Sequence, residues 1–411
     1  MECYLDNAAT TKVSDSVCAV MEQVLCTDFG NPSSLHKKGM EAEQYIKAAR
    51  ACIAKTLKAE PKEIVFTSGG TEANNMALIG AALAMRRKGR HIVTTQFEHA
   101  SVHAPLVFLE EMGFEVSFAP VDEKGHVILE ELLLLVREDT ILVSVMYVNN
   151  EIGAVQDIAA LAKAVKAKNP GLLFHTDAIQ AYGKYCICPK KEGIDLLSAS
   201  GHKFHGPKGS GFVFIRDKVR ILPILHGGGQ QKGMRSGTEN VPAIAGIGRA
   251  AQEIYAGDVP ALRESASRDF ANQNGILQAH ASQEEKAEWL YALKQHMVDL
   301  LSGMEGVCIH ALTTPLTDCA PHIVSAGFAG IRSEVLLHAL EERGVYVSSG
   351  SACSSNHPGI SGSLTAIGVK KELLDATLRF SFSVYTTMEE LDYAAAQLRE
   401  LLPVLRRYTA R

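Results

Sequence analysis

The chain has 411 residues, a hydrophobic fraction of 46%, a charged fraction of 21% and a formal net charge of -5. That length exceeds what one small hydrophobic core supports and favours two units of unequal size, while the mild negative charge excludes a broad basic surface for nucleic acid. The longest leucine run, Leu132 to Val136, is too short for a bilayer, and Met1-Glu2-Cys3-Tyr4-Leu5-Asp6 shows no basic segment followed by an apolar one. No membrane partner and a cytoplasmic location are therefore expected. Nine cysteines at irregular spacings argue for reduced thiols rather than a disulfide framework, and Cys186 with Cys188 lacks the second close pair that a zinc site needs.

From about residue 60 to 215, apolar strand-like runs alternate with helical patterns, which predicts an α/β domain with a mostly parallel sheet. The predicted strands are Ile64-Val65-Phe66, His91-Ile92-Val93-Thr94, Val116-Ser117-Phe118, Ile141 to Val145 and Leu172 to His175. Helices are expected over Glu72 to Arg87 and Ile158 to Lys168. Polar clusters follow the strands: Ser68-Gly69-Gly70-Thr71, Glu98-His99, Asn149-Asn150-Glu151 and Asp177. Ligands of open α/β sheets gather beyond the carboxyl ends of the strands, so these clusters are expected to meet in one crevice. Near Gly257 a long charged helical region begins. Strands at Val307-Cys308-Ile309, Ile323-Val324 and Leu378 to Phe382 follow it, with helices at Glu334 to Glu342 and Met388 to Leu401. These predict a second, smaller α/β domain. The expected division is 13–256 for the large domain and 1–12 with 257–411 for the small one. The polar stretch Arg263 to Glu288 reads as an insertion or an extended helix connection.

Lys203 lies in Ser198-Ala199-Ser200-Gly201-His202-Lys203-Phe204-His205-Gly206-Pro207-Lys208-Gly209. A lysine beside glycine in a loop is ordinarily a solvated surface residue. Here Ser200 and His202 flank it with donors suited to a phosphate, and Asp177 stands at the end of a predicted strand. An amine for Schiff-base chemistry, with an acid able to face a pyridinium nitrogen, is what pyridoxal phosphate (PLP) asks of a protein. The run is not a P-loop, which Pro207 spoils, nor a zinc His-x-x-His site, because no glutamate adjoins His202. Gly69-Gly70-Thr71-Glu72 fits a phosphate held by backbone N–H groups, and equally a plain strand-to-helix turn. Gln180 is either a surface amide or a partner for the ring oxygen; His99 is either a cap or an imidazole stacked on a flat ring. Arg379, inside the apolar run Leu378-Arg379-Phe380-Ser381, makes either a structural ion pair or a clamp on an amino-acid carboxylate. Cys353 belongs to Ser348-Ser349-Gly350-Ser351-Ala352-Cys353-Ser354-Ser355, within a Ser- and Gly-rich stretch to Ser363 that reads as a mobile loop. It is either incidental or a nucleophile. Joined to PLP, a loop thiol points to an enzyme that moves sulfur.

The ordered motifs carry a resemblance over almost the whole chain. They begin with Tyr4-Leu5-Asp6-Asn7-Ala8-Ala9-Thr10-Thr11 and Gly30-Asn31-Pro32-Ser33-Ser34-Leu35-His36, and continue through Thr67 to Asn75 and Val148-Asn149-Asn150-Glu151-Ile152-Gly153. Ser200-Gly201-His202-Lys203, Gly227-Gly228-Gly229-Gln230, Arg235 to Asn240 and Ser349-Gly350-Ser351-Ala352-Cys353 complete them. The chain resembles cysteine desulfurases of the NifS/IscS type, in the class V aminotransferase group of fold-type I PLP enzymes. That resemblance implies a PLP-dependent transferase fold, with a large domain built on a mostly parallel sheet and a smaller C-terminal α/β domain. It implies that Lys203 binds PLP while Gly70, Thr71, Ser200 and His202 hold the phosphate, joined by Thr238 from the other subunit of a homodimer. It places His99 on the ring, Asp177 and Gln180 at its polar edge, Asn150 beside cofactor and substrate, and Arg379 on the carboxylate of L-cysteine. Cys353 is the implied sulfur acceptor. Lys203, Cys353 and His99 are thus the implied catalytic residues, and no metal is implied. Alanine would leave, and a persulfide would pass to an iron–sulfur scaffold or a tRNA thiolation enzyme. Lys12 departs from a proline frequent in the family, and Thr365 from an arginine. The competing readings are a selenocysteine lyase or another PLP lyase of the same fold and, outside enzymes, an inactive scaffold.

Overall fold

The computed structural model describes residues 1–265, 281–349 and 361–409. Strand β1, Cys3–Tyr4, precedes the strands of the main sheet: β2 Ile64–Thr67, β3 His91–Thr95, β4 Glu115–Ala119, β5 Thr140–Ser144, β6 Leu173–Asp177, β7 Leu196–Ser200 and β8 Gly211–Ile215. Their order across the sheet is β2-β8-β7-β6-β5-β3-β4. β4, β3, β5, β6 and β7 run parallel, whereas β8 is antiparallel to both of its neighbours, β2 and β7. The expected parallel sheet is present with this one exception. Sequence reading passed over β7 and β8, which flank the polar motif around Lys203.

Neighbouring residues of the central strands are apolar in pairs because both sheet faces are covered, and successive side chains point to opposite faces. Phe66, Val93, Val143 and Leu197 join the core formed with helices Lys37–Thr56, Ile158–Lys168 and Val241–Tyr255. Val65, Ile92, Leu142 and Leu196 join the opposite one, with helices Gly70–Met85 and Ala100–Glu111. Burying each such side chain contributes roughly 1.5–3 kcal/mol.

The later strands are β9 Val307–Ile309, β10 Ile323–Phe328, β11 Val345–Tyr346, β12 Ser348–Ser349 and β13 Thr377–Ser381. An antiparallel sheet of order β12-β13-β10-β9 packs Phe328 and Phe380 against Leu293 and Met297 of helix Gln283–Ser302 and Leu398 of helix Met388–Thr409. β1 pairs in parallel with β11, and Cys3 and Leu5 enter this second core. One sequence expectation changes here. Ser348 and Ser349 are a strand paired with Arg379 and Leu378 rather than loop. The far end of the polar stretch to Glu288 is a helix start: Ser282 and Glu285 form a capping box, and Gln283 and Lys286 are buried against the Ile254 carbonyl. Residues 266–280 lie outside the described residues.

Candidate active site

A cavity of about 280 Å³ opens beyond the carboxyl ends of β3, β5, β6 and β7, lined by Ala8, Ala9, Gly70, Thr71, His99, Ser101, Met146, Val148, Asn150, Asp177, Ile179, Gln180, Ser200, His202 and Lys203. Nine residues expected from sequence therefore share one crevice: Gly70, Thr71, His99, Asn150, Asp177, Gln180, Ser200, His202 and Lys203. Asp177 ends β6 and is almost fully buried. Its Oδ1 accepts from the Ile179 N–H at 2.9 Å and its Oδ2 from Asn74 Nδ2 at 2.8 Å. Burial pushes its carboxyl above the ordinary aspartate range, and His99 opposes that rise. An opposing cationic ring nitrogen would restore the charged form.

Lys203 ends the short 3-10 turn Gly201–Lys203 that follows β7, and its Nζ donates to Ala8 O at 2.7 Å and Ala9 O at 2.6 Å. The strand carries the chain to the sheet rim, and Gly201 permits the turn because a Cβ there would lie 2.3 Å from Ser210 Oγ. Lys184 donates to the Lys203 carbonyl at 2.6 Å. Burial and the neighbouring Lys203 charge pull the Lys184 amine down to about 7. His202 is held neutral by burial and by the Lys203 and Lys208 cations, with its imidazole pulled down to about 4.

Helix Gly70–Met85 starts after Gly69, whose φ is 156°, with no side-chain cap on its first turn. Its leading N–H groups face the cavity beside Ser200, a donor set that matches a phosphate. A buried carboxylate, a primary amine and an uncapped helix start in one cavity thus fit the three ends of PLP: ring nitrogen, aldehyde and phosphate.

His99 is the cap weighed from sequence, and it also stands where it borders the cavity. It caps helix Ala100–Glu111, its Nδ1 accepting from the Ser101 N–H, and it lines the cavity. Asn74 Nδ2 donates to Ser101 Oγ, so the hydroxyl proton points at His99 Nδ1 and the imidazole hydrogen is assigned to Nε2. Glu98 beside it is deeply buried; burial pushes its carboxyl up to about 8, although Met146 N–H and Thr95 Oγ1 donate to its Oε1. Gln180 Nε2 donates to Ala8 O at 2.9 Å, and its Oε1 meets His322 Nε2 at 3.4 Å.

Arg379 on β13 is 3% exposed and does not line the cavity, but reaches its edge. Nη1 donates to Asn150 O and Nη2 to Asp6 Oδ1, both at 2.8 Å, while among the described residues Nε has no hydrogen-bond partner. Thr238 is exposed in the loop after the 3-10 turn Gln230–Gly233 and is not among the lining residues. That loop is tied to the start of helix Gly70–Met85 by Arg235, which pairs with Glu72 at 2.9 Å. Cys353 lies outside the described residues.

Sequence reasoning missed the roles of Ala8 and Ala9, because a main-chain carbonyl leaves no side-chain signature, and missed Asn74, Ser101, Lys184 and His322, which act through a neighbour. Only the placement of Asn7-Ala8-Ala9 inside a recurring motif could have pointed to the first pair.

Comparison with known proteins adds to this geometry. The family model for aminotransferase class-V matches residues 3–394. A protein named cysteine desulfurase IscS, from Dictyoglomus turgidum, is 40% identical over 406 residues, covering 98% of this chain and 95% of its own length. A solved structure described as a NifS-like protein superposes with a TM-score of 0.85 at 38% identity, covering 98% of this chain and 100% of its own. The structure of SspA in complex with cysteine gives a TM-score of 0.75 at 30% identity, covering 94% and 100%. A match that runs from β1 into the last helix, joined to a lysine, a carboxylate and a helix start at one strand-end cavity, makes this chain a member of the aminotransferase class-V family.

Proposed function

We propose that the chain is a PLP-dependent cysteine desulfurase, which takes sulfur from L-cysteine, releases L-alanine and passes the sulfur on through a persulfide at Cys353. The observation that carries this reading is the convergence of Lys203, Asp177 and the Gly70 helix start in a chain similar throughout its length to cysteine desulfurases. Bound there, PLP supplies the electron sink that stabilises a carbanion at the substrate Cα. Lys203 would hold the cofactor, and its Nζ, placed by the Ala8 and Ala9 carbonyls, would carry the substrate's Cα proton. Gly70, Thr71, Ser200 and His202 would hold the phosphate, and Asp177 would keep the ring nitrogen protonated. His99 would hold the ring, Gln180 would serve its oxygen, and Asn150 would border cofactor and substrate. Arg379 takes the substrate carboxylate with the fork edge that no described residue fills.

Thr238 reaches the phosphate of a partner subunit in a homodimer, a reading supported by its exposed place away from its own cavity. The divided cores support two working units, 13–256 and 1–12 with 257–411. The sulfur acceptor is a protein of the iron–sulfur scaffold or thiolation type. Among the described residues no helix is long and apolar enough to cross a membrane.

The test is release of alanine and sulfide from L-cysteine with dithiothreitol. Wild type should give the two in equal amounts. Lys203→Ala and Cys353→Ser should give neither, with Cys353→Ser keeping the visible absorbance of its cofactor. Turnover by Cys353→Ser would overturn the persulfide route and favour a lyase that simply eliminates.

A further inference from the structure

Lys294 and Cys319 make a contact that the proposed reaction does not use. Lys294 lies on helix Gln283–Ser302 and is 2% exposed; Cys319 follows the 3-10 turn Leu316–Asp318 and is 1% exposed. Lys294 Nζ is 2.9 Å from Cys319 Sγ and 2.7 Å from Ala320 O, while the Cys319 thiol donates to Leu316 O at 3.2 Å. A nitrogen nucleophile thus rests against a sulfur atom, within bonding reach once that sulfur becomes electrophilic. Burial disfavours the charged form of Lys294 and holds it below the usual lysine range, which enlarges the share of free amine, although Cys319 opposes this. Thr317 and Asp318, immediately before Cys319, are exposed.

We propose that Lys294 and Cys319 form an oxidation-responsive crosslink site that takes a hydroperoxide. The hydroperoxide gives one oxygen to the thiol; its O–O bond breaks, it leaves as the alcohol or water, and the sulfur, now a sulfenic acid, has lost two electrons. The Lys294 lone pair then attacks that sulfur and the S–O bond breaks. Hydroxide leaves with a proton from nitrogen as water, and an S–N bond remains. The net change is the loss of two hydrogen atoms, and a dithiol reductant returns amine and thiol. The link would staple helix Gln283–Ser302 to the segment where Cys319 bridges Ala154 and the Ala320 N–H donates to Gly153 O at 2.7 Å. Asn150 is three residues before Gly153, so the staple would bear on one wall of the candidate active site.

The test treats the full-length holoenzyme with hydrogen peroxide, alkylates remaining thiols, and maps tryptic fragments by mass. Exposed Cys18 and Cys26 serve as internal references for oxidant dose. The expected result is loss of cleavage after Lys294, with a fragment spanning Lys294 and Cys319 that is lighter by two hydrogen atoms, both reversed by dithiothreitol. A Cys308–Cys319 disulfide has the same mass but leaves Lys294 cleavable, and would overturn the proposal. So would a Cys319 recovered alkylated, or as sulfinic acid, at doses that oxidise Cys18. The wild-type map decides alone; Lys294→Arg, where it folds, should abolish the crosslinked fragment.

Discussion

Replacing Arg379 by lysine keeps a positive charge and removes the planar fork, which separates the carboxylate clamp from a merely structural ion pair. Among the described residues Nη1 and Nη2 each hold one acceptor, Asn150 O and Asp6 Oδ1, at 2.8 Å, and Nε holds none. A carboxylate meeting the Nε edge would form two charge-assisted bonds, of which one ammonium can keep one. Losing the other costs about 1.5–3 kcal/mol. At about 1.4 kcal/mol per factor of ten, kcat/KM for L-cysteine should fall roughly ten- to hundredfold. The loss should sit mainly in KM, because the carboxylate is bound in ground and transition states alike. Steady-state sulfide release in the presence of dithiothreitol measures it, with cysteamine, which lacks the carboxylate, as the reference substrate. A change of less than about threefold for L-cysteine, or an equal loss for both compounds, would refute the clamp and leave Arg379 as a structural partner of Asp6 and Asn150.

Glu98→Gln should change how stability depends on pH. Burial raises the Glu98 carboxyl from 4.5 to about 8, so the folded chain holds a proton that the unfolded chain releases. The stabilisation is complete below pH 4.5 and is lost as pH rises through about 8, at up to ~1.4 kcal/mol per pH unit. Glutamine keeps the acceptor for Thr95 and Met146 and cannot ionise, so the Tm of Glu98→Gln minus that of wild type should rise between those limits; a flat difference would contradict a buried neutral acid. Gly211→Ala probes the spacing behind the phosphate seat. Its Cβ would lie 2.7 Å from Ala199 O and 2.8 Å from the Gly69 backbone, so Gly69 must move. Overpacking of this kind costs about 1–3 kcal/mol, and PLP affinity by absorbance titration should drop accordingly; unchanged affinity would place the phosphate elsewhere.

Much of the site was legible because its groups sit at strand ends. Asp177 closes an apolar run and Lys203 follows another, and chemistry restricts what an acid and an amine so placed can serve. The antiparallel β8 was not legible, because Gly211–Ile215 has the same apolar pairs as a parallel strand and direction leaves no mark on composition. Nor was the floor under Lys203. Ala8 and Ala9 act through carbonyls, and Lys184 and His322 act at second hand, so their importance depends on contacts between residues far apart in sequence. Ser348 looked like loop because serine favours turns, and pairing with β13 overrides that preference.

The early chain that supports Lys203 is itself anchored by the late chain. The Ser381 hydroxyl accepts the Ala8 N–H at 2.8 Å, and Asp6 meets Arg379 across 373 positions. During synthesis, then, the main sheet can gather its strands long before β13 leaves the ribosome, yet the floor of the site still lacks its Ser381 and Arg379 anchors. Lys203 acquires its full surroundings at the end of translation, and a chain cut short before β13 would carry a complete main sheet with an unfinished candidate site.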